Sequence, residues 1–221
     1  MTFSKLSLFL LGFMSCTFVT SQEQQETETP DSAQVIPYAD YLDSLNHRKT
    51  TIDSGDFIGA KHLLFNVFHS EIPSYWIGTR WDFNGTTPTP GDGLIACGYY
   101  LTTTMKQTGY EINRYKMAQQ ASSVLIEAYC SNIAKMTSLE AVSKYLSTQP
   151  DSSTFIIGLD SHTGFVTKHG NNYYLIHSNY IGSEGVIREK LEEAQVLVHN
   201  SFFMIGSLNG HKQRLTQWMK W

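Results

Sequence analysis

The chain has 221 residues, 41% of them hydrophobic and 13% aromatic, with 16 Lys and Arg against 20 Asp and Glu. The formal net charge of −4 excludes the basic footprint expected of a nucleic-acid binder. The length suffices for a leader and one domain with a sizeable core.

Residues 1–21 carry the pattern of a secretory signal peptide. Lys5 supplies a positive start, Leu6 to Val19 an apolar run, and Val19-Thr20-Ser21 precedes the polar Gln22-Glu23-Gln24-Gln25. The run is too short and wrongly flanked for a membrane span, and no later segment is long and apolar enough for one. A competing reading takes Phe13-Met14-Ser15-Cys16 as a poor lipobox, in which case lipidation of Cys16 would bring the chain to a membrane. The apolar run continues past Cys16, which favours cleavage near Ser21. The expected location is secreted or periplasmic, with a lipoprotein as the alternative. Residues 22–36, rich in Gln, Glu, Thr and Ser, read as a polar tether. Residues 37–221 then form the domain.

Within the domain, Tyr41 to His47 and Phe57 to Phe68 show the 3.6-residue spacing of amphipathic helices, with Asp56 as an N-cap and Pro73 ending the helical region. The Pro- and Gly-rich stretch from Ile77 to Gly93 predicts loop. Helices follow over Ala96 to Gln107, stopped by Gly109, over Asn113 to Cys130, and over Ser138 to Leu146. After Pro150 the character changes. Residues 154–159, 162–168, 172–178 and 202–208 are short, β-branched and aromatic, and predict strands, with a hairpin at Gly170-Asn171-Asn172. Helices first and strands later indicate an α+β fold, an antiparallel sheet covered on one face by the N-terminal helices.

Cys97 stands where the loop Thr89-Pro90-Gly91-Asp92-Gly93 runs into a helix. The first turn of a helix offers unpaired N–H groups and the positive end of the macrodipole, both of which favour thiolate, the form that attacks carbonyl carbon. Its own N–H is a ready donor to the oxyanion of a tetrahedral intermediate. A thiol hydrolase also needs a base and a group to orient it. A two-residue Gly170-Asn171 turn sets Asn179 opposite His162 and His177 diagonally beside it on the same face, whereas a three-residue loop would turn both away. Parity leaves His177 and Asn179 open as the orienter. Two readings compete with this one. Cys97 and Cys130 could form a disulfide in an exported protein, and a lone strand histidine is more often structural.

Tyr75-Trp76-Ile77-Gly78-Thr79, Ala96-Cys97-Gly98-Tyr99, His162-Thr163-Gly164-Phe165-Val166 and Ile176-His177-Ser178 resemble successive blocks of the NlpC/P60 superfamily of papain-like cysteine peptidases and amidases. The resemblance spans residues 75 to about 180. It implies Cys97 as nucleophile, His162 as base, His177 as its orienter and Tyr75 near the oxyanion hole. The chain departs from the family pattern at Ala96, Gly98 and Gly78-Thr79, and in a longer interval between the histidines, which marks a divergent branch. Trp76 and Trp81 flank the cleft sequence and could stack on a sugar or peptide, or pack in the core. Trp218 and Trp221 sit in a tail that could fold back on the domain. His47, His62, His69, His199 and His211 lack metal-ligand spacing, and no cofactor is implied.

These residues lead to an exported cysteine hydrolase that cleaves an amide bond, with cell-wall peptide as substrate and a Cys97 thioester as intermediate. The alternatives are an amide hydrolase or acyltransferase acting on a protein or lipid, and a non-catalytic binding module on the same scaffold. The sequence carries no sign of oligomeric state.

Overall fold

The computed structural model describes Met1 and residues 36–182, 184–198 and 200–220. Apart from Met1 and Ile36, the expected leader with Cys16 and the tether lie outside the described residues, as do His199 and Trp221. Contacts group the chain into Met1–Val35 and Ile36–Trp221.

The second unit opens with helix α1 (Tyr38–Thr51), longer than its apolar spacing predicts, and α2 (Phe57–Asn66), whose N-cap Asp56 accepts the Gly59 N–H at 2.9 Å. Pro73 does not end this region. A π-helical turn (Val67–Glu71) runs on without a break in helical backbone into α3 (Ile72–Trp76), which accommodates Pro73 near its start. The expected loop holds a two-residue parallel ladder of β1 (Arg80–Trp81) and β2 (Leu94–Ile95). Helix α4 (Cys97–Gln107) follows, and Gly109 takes φ +103° just past its end. The single helix expected over 113–130 is broken into α5 (Arg114–Ala118) and α6 (Ser122–Tyr129), and the Ala118 backbone at the break sits directly on Gly98.

Strand β3 (Ser131–Met136) precedes α7 (Leu139–Ser147), N-capped by Ser138. The predicted strands appear as β4 (Ser153–Leu159), β5 (Thr163–His169), β6 (Asn172–Asn179) and β8 (Phe203–Ser207). Strand β7 (Gly185–Lys190), a 3₁₀ turn (Gln195–Leu197) and a final helix α8 (Lys212–Met219) complete the unit. The six-stranded sheet is antiparallel throughout, in the order β3-β8-β4-β5-β6-β7. The fold is α+β.

The sheet is covered on both faces, not one. Ile156, Phe165, Ile176 and Met204 face a core built from α1, α2, α4, α6 and α8, in which Trp218 is fully buried. Phe155, Ile157, Val166, Leu175 and Ile205 face a second core with Val142 and Leu146 of α7 and Val196 and Leu197 of the 3₁₀ turn. Strand β4 is accordingly buried at every position, as a strand apolar on both sides must be. Two buried lysines serve helix ends. Lys168 Nζ donates to the carbonyls of Leu146, Ser147 and Gln149 at the end of α7, and Lys49 Nζ to that of Thr108 at the end of α4.

Candidate active site

Cys97 is the first residue of α4, and the extended N-cap Ala96 offers no side-chain cap. Tyr100 is the first residue of the helix whose N–H goes to a backbone carbonyl, that of Ala96 at 2.8 Å, so the N–H groups of Cys97 and Gly98 are left to the thiol and the cleft. Three features fix this turn. The Ala96 N–H donates to the Gly85 carbonyl at 2.9 Å. Ser178 Oγ, one residue beyond His177, donates to the Ile95 carbonyl at 2.7 Å and so ties β6 to the approach to Cys97. Arg114, buried in α5, donates to Thr103 Oγ1 and to the carbonyls of Thr86 and Thr87, holding the loop that lies over β2.

Cys97 and Cys130 are both free thiols. Cys130 is a buried core residue, and burial pushes its thiol well up. Burial also holds the Cys97 thiol above its ordinary value. Backbone hydrogen bonds from Gly98, Thr163 and Cys97 itself pull the other way without prevailing. The expected shift towards thiolate is thus reversed, the thiol being raised and not lowered. The reason is desolvation, which disfavours the charged form more than three N–H groups favour it.

Thr163, which donates to the Cys97 sulfur, directly follows His162. His162 is 4% exposed. Strands β5 and β6 pair with His169 opposite Asn172 and Phe165 opposite Ile176, the register of a two-residue turn. That register sets His177 on the face of His162, and His162 Nε2 lies 2.7 Å from His177 Nδ1, the rings perpendicular. His162 Nδ1 is buried with no hydrogen-bond partner in the protein. Burial, and secondarily the neighbouring His177, push the His162 imidazole down to about 3. Asn179 instead accepts the Ile181 N–H at 2.9 Å and shapes its own turn. On its far side, His177 Nε2 lies 2.8 Å from Glu189 Oε1 of β7. Glu189 is a neighbour the sequence did not reveal. It pairs opposite Leu175, diagonal to His177, across a connection whose length no motif fixes.

Cys97 and His162 line one cleft with two arms. The larger, about 700 Å³, is walled by Trp81, Phe83, Tyr99 and Tyr180 together with Asn84 and Gln119. The smaller, about 260 Å³, runs over Met117, Leu125 and Asp160. Tyr180 stands edge-on to His162 with ring centroids 5.3 Å apart, and Trp81 packs beside Tyr180 at 6.1 Å. The break between α5 and α6 supplies the cleft residues Ala118, Gln119 and Gln120.

Two expected site residues lie elsewhere. Trp76 is fully buried, donates Nε1–H to Tyr38 Oη at 3.1 Å and packs edge-on to Tyr100, so it is a core residue. Tyr75 packs on Tyr38 and Tyr41, each at 5.1 Å, and its hydroxyl donates to the Ile36 carbonyl. It holds the entry of the chain into α1 and does not line the cleft. Among the described residues, no group of three or more His, Cys, Asp and Glu side chains could hold a metal ion.

Comparison of the chain with protein-family models, with curated proteins and with solved structures returns no match.

Proposed function

We propose that the chain is a cysteine hydrolase of papain-like, NlpC/P60-like arrangement that cleaves an amide bond through a Cys97 thioester. One observation carries this reading. The Cys97 sulfur accepts the N–H of the residue next to His162, in a cleft both residues line, while the His162 ring keeps one buried nitrogen unpartnered and the other engaged by His177. A nucleophile, a base and an orienting group in one cleft suit acyl transfer.

The protonation states argue for a neutral resting pair, thiol and imidazole. Cys97 is then deprotonated as it attacks, not before. His162 Nδ1 takes the thiol proton while sulfur bonds to the carbonyl carbon, and the open N–H groups at the start of α4 receive the developing oxyanion. The C–N bond breaks as the imidazolium returns its proton to the leaving amine. Water, losing a proton to His162, then attacks the thioester; the acid departs and the thiol regains its proton.

Cell-wall peptide is the first substrate to test, because an export leader would bring the enzyme to that polymer. The cleft favours a second substrate class as well. The larger arm has no Asp, Glu, Lys or Arg among its lining residues, so peptide carboxylates find no cationic side chain there. Neutral amide segments of a protein or glycoconjugate, with rings that stack on Trp81 or Tyr180, match that lining better. Incubation with muropeptides and with a panel of neutral peptide amides should release new amino groups. Cys97→Ala should release none from either. Identical behaviour of wild type and Cys97→Ala on both sets would refute the hydrolase reading in favour of a binding module.

A further inference from the structure

Glu189 bonds to His177 and to neither Cys97 nor His162, yet its position bears on both. A carboxylate accepts hydrogen bonds and donates none. Its oxygen, 2.8 Å from His177 Nε2, therefore requires a proton on that nitrogen. A neutral imidazole has only one N–H, so His177 Nδ1 is then a bare acceptor. The contact of 2.7 Å between His177 Nδ1 and His162 Nε2 is satisfied only if His162 carries its proton on Nε2. The remaining nitrogen, His162 Nδ1, is left with a free lone pair, and it is the buried nitrogen without a partner.

We infer that Glu189 is a positioning residue that sets the tautomers of both histidines through His177 and so keeps His162 Nδ1 free to receive the Cys97 proton. Without Glu189, His177 can carry its proton on Nδ1. His162 Nε2 must then accept, His162 Nδ1 becomes the N–H, and the base is lost without any change in ring position. His177 is fully buried and Glu189 is about one-quarter exposed, 23% by side chain. The carboxylate is thus the point at which this buried chain of hydrogen bonds meets water. The arrangement follows the general logic by which an outer carboxylate fixes the tautomer of an imidazole that does chemistry.

This inference rests on Cys97 and His162 acting as nucleophile and base, and its test separates the two claims. Two-bond ¹⁵N–¹H spectra of the imidazoles, recorded on the whole chain at pH 7.5, read the tautomers without any substrate. Wild type should show His177 and His162 each protonated on Nε2 alone. Glu189→Ala should give mixed tautomers for both rings and slow alkylation of Cys97 by iodoacetamide on the order of 10- to 100-fold. Glu189→Gln keeps the shape and an acceptor oxygen, and should retain more of both readouts. Where Glu189→Ala fails to fold, Glu189→Met replaces it. Unchanged tautomers in Glu189→Ala, or a wild-type His177 protonated on both nitrogens, would overturn the inference. A chain that cleaves no amide but shows Glu189-dependent tautomers keeps it and refutes the hydrolase reading alone.

Discussion

At the scale of single residues, burial decides the chemistry at Cys97. The sequence places this thiol at a helix start, and the expectation of a thiolate followed from the helix start and a nearby imidazole. What a linear chain does not display is how far each group is removed from water: Cys97 is half-buried and His162 buried, which raises the thiol while lowering the His162 imidazole to about 3. The pH dependence follows from those directions. Alkylation of Cys97 by iodoacetamide should rise with pH through an inflection above that of an ordinary exposed cysteine. An inflection several pH units lower would mean that a thiolate–imidazolium pair exists at rest. Trp76 shows the same blind spot. An aromatic residue at a helix end has one sequence appearance, whether it faces the core or a cleft.

Among elements, the hairpin was legible because its parity is discrete. One turn length puts His177 beside His162 and the next puts it on the far face, and Gly170-Asn171 selects between them. The break between α5 and α6 was not legible. The apolar spacing continues through Ala118 and Ala121 without a proline or glycine to mark a stop. The break seats on a residue distant in sequence, Gly98, where an added Cβ would stand 2.5 Å from the Ala118 carbonyl oxygen. Serine, the residue that the resemblance would place at 98, does not fit this backbone. Gly98→Ser should destabilise the fold by about 1–3 kcal/mol, the range of overpacked sites, and disturb the neighbouring Cys97. Denaturant midpoints compared with those of Gly98→Ala check the first effect; a midpoint unchanged in both variants would show that α5 gives way freely. Strand β7, and Glu189 with it, escaped notice because Gly185-Val186-Ile187-Arg188-Glu189-Lys190 mixes charges into an alternation too short to separate from loop.

For the whole molecule, two histidines held neutral by desolvation, one buried and one half-buried, set the response to acid. His162 and His69 titrate at about 3 and about 4 in the fold, both chiefly through burial, while an unfolded histidine titrates near 6.5. Between these values the unfolded chain binds protons that the native chain refuses, so stability falls as pH falls from about 6.5 towards 4 and below. His69 stacks on Phe65 at 4.7 Å and shares a hydrogen bond with Thr167 Oγ1, far along the sheet from the cleft residues of β5. His69→Gln should therefore flatten the profile without altering Cys97 reactivity. Thermal midpoints at pH 7, 5.5 and 4.5 test this; a midpoint that holds constant across that range would show that neither ring stays neutral in the fold. The general class, helices followed by an antiparallel sheet, was readable from where periodicity changes at Pro150. The second covered face was not, although the unbroken apolar run of residues 154–159 is what burial on both sides produces.

The close seat of Gly98 on Ala118 also has a meaning for descent. Residue 98 and the α5–α6 corner cannot change independently: a side chain at 98 requires the corner to move away, and the corner carries Ala118 to Gln120 into the cleft. Related chains should therefore fall into two groups, one pairing glycine after the cysteine with this corner, the other pairing serine with a more distant helix. Substrate preference would then track a residue that never needs to touch the substrate.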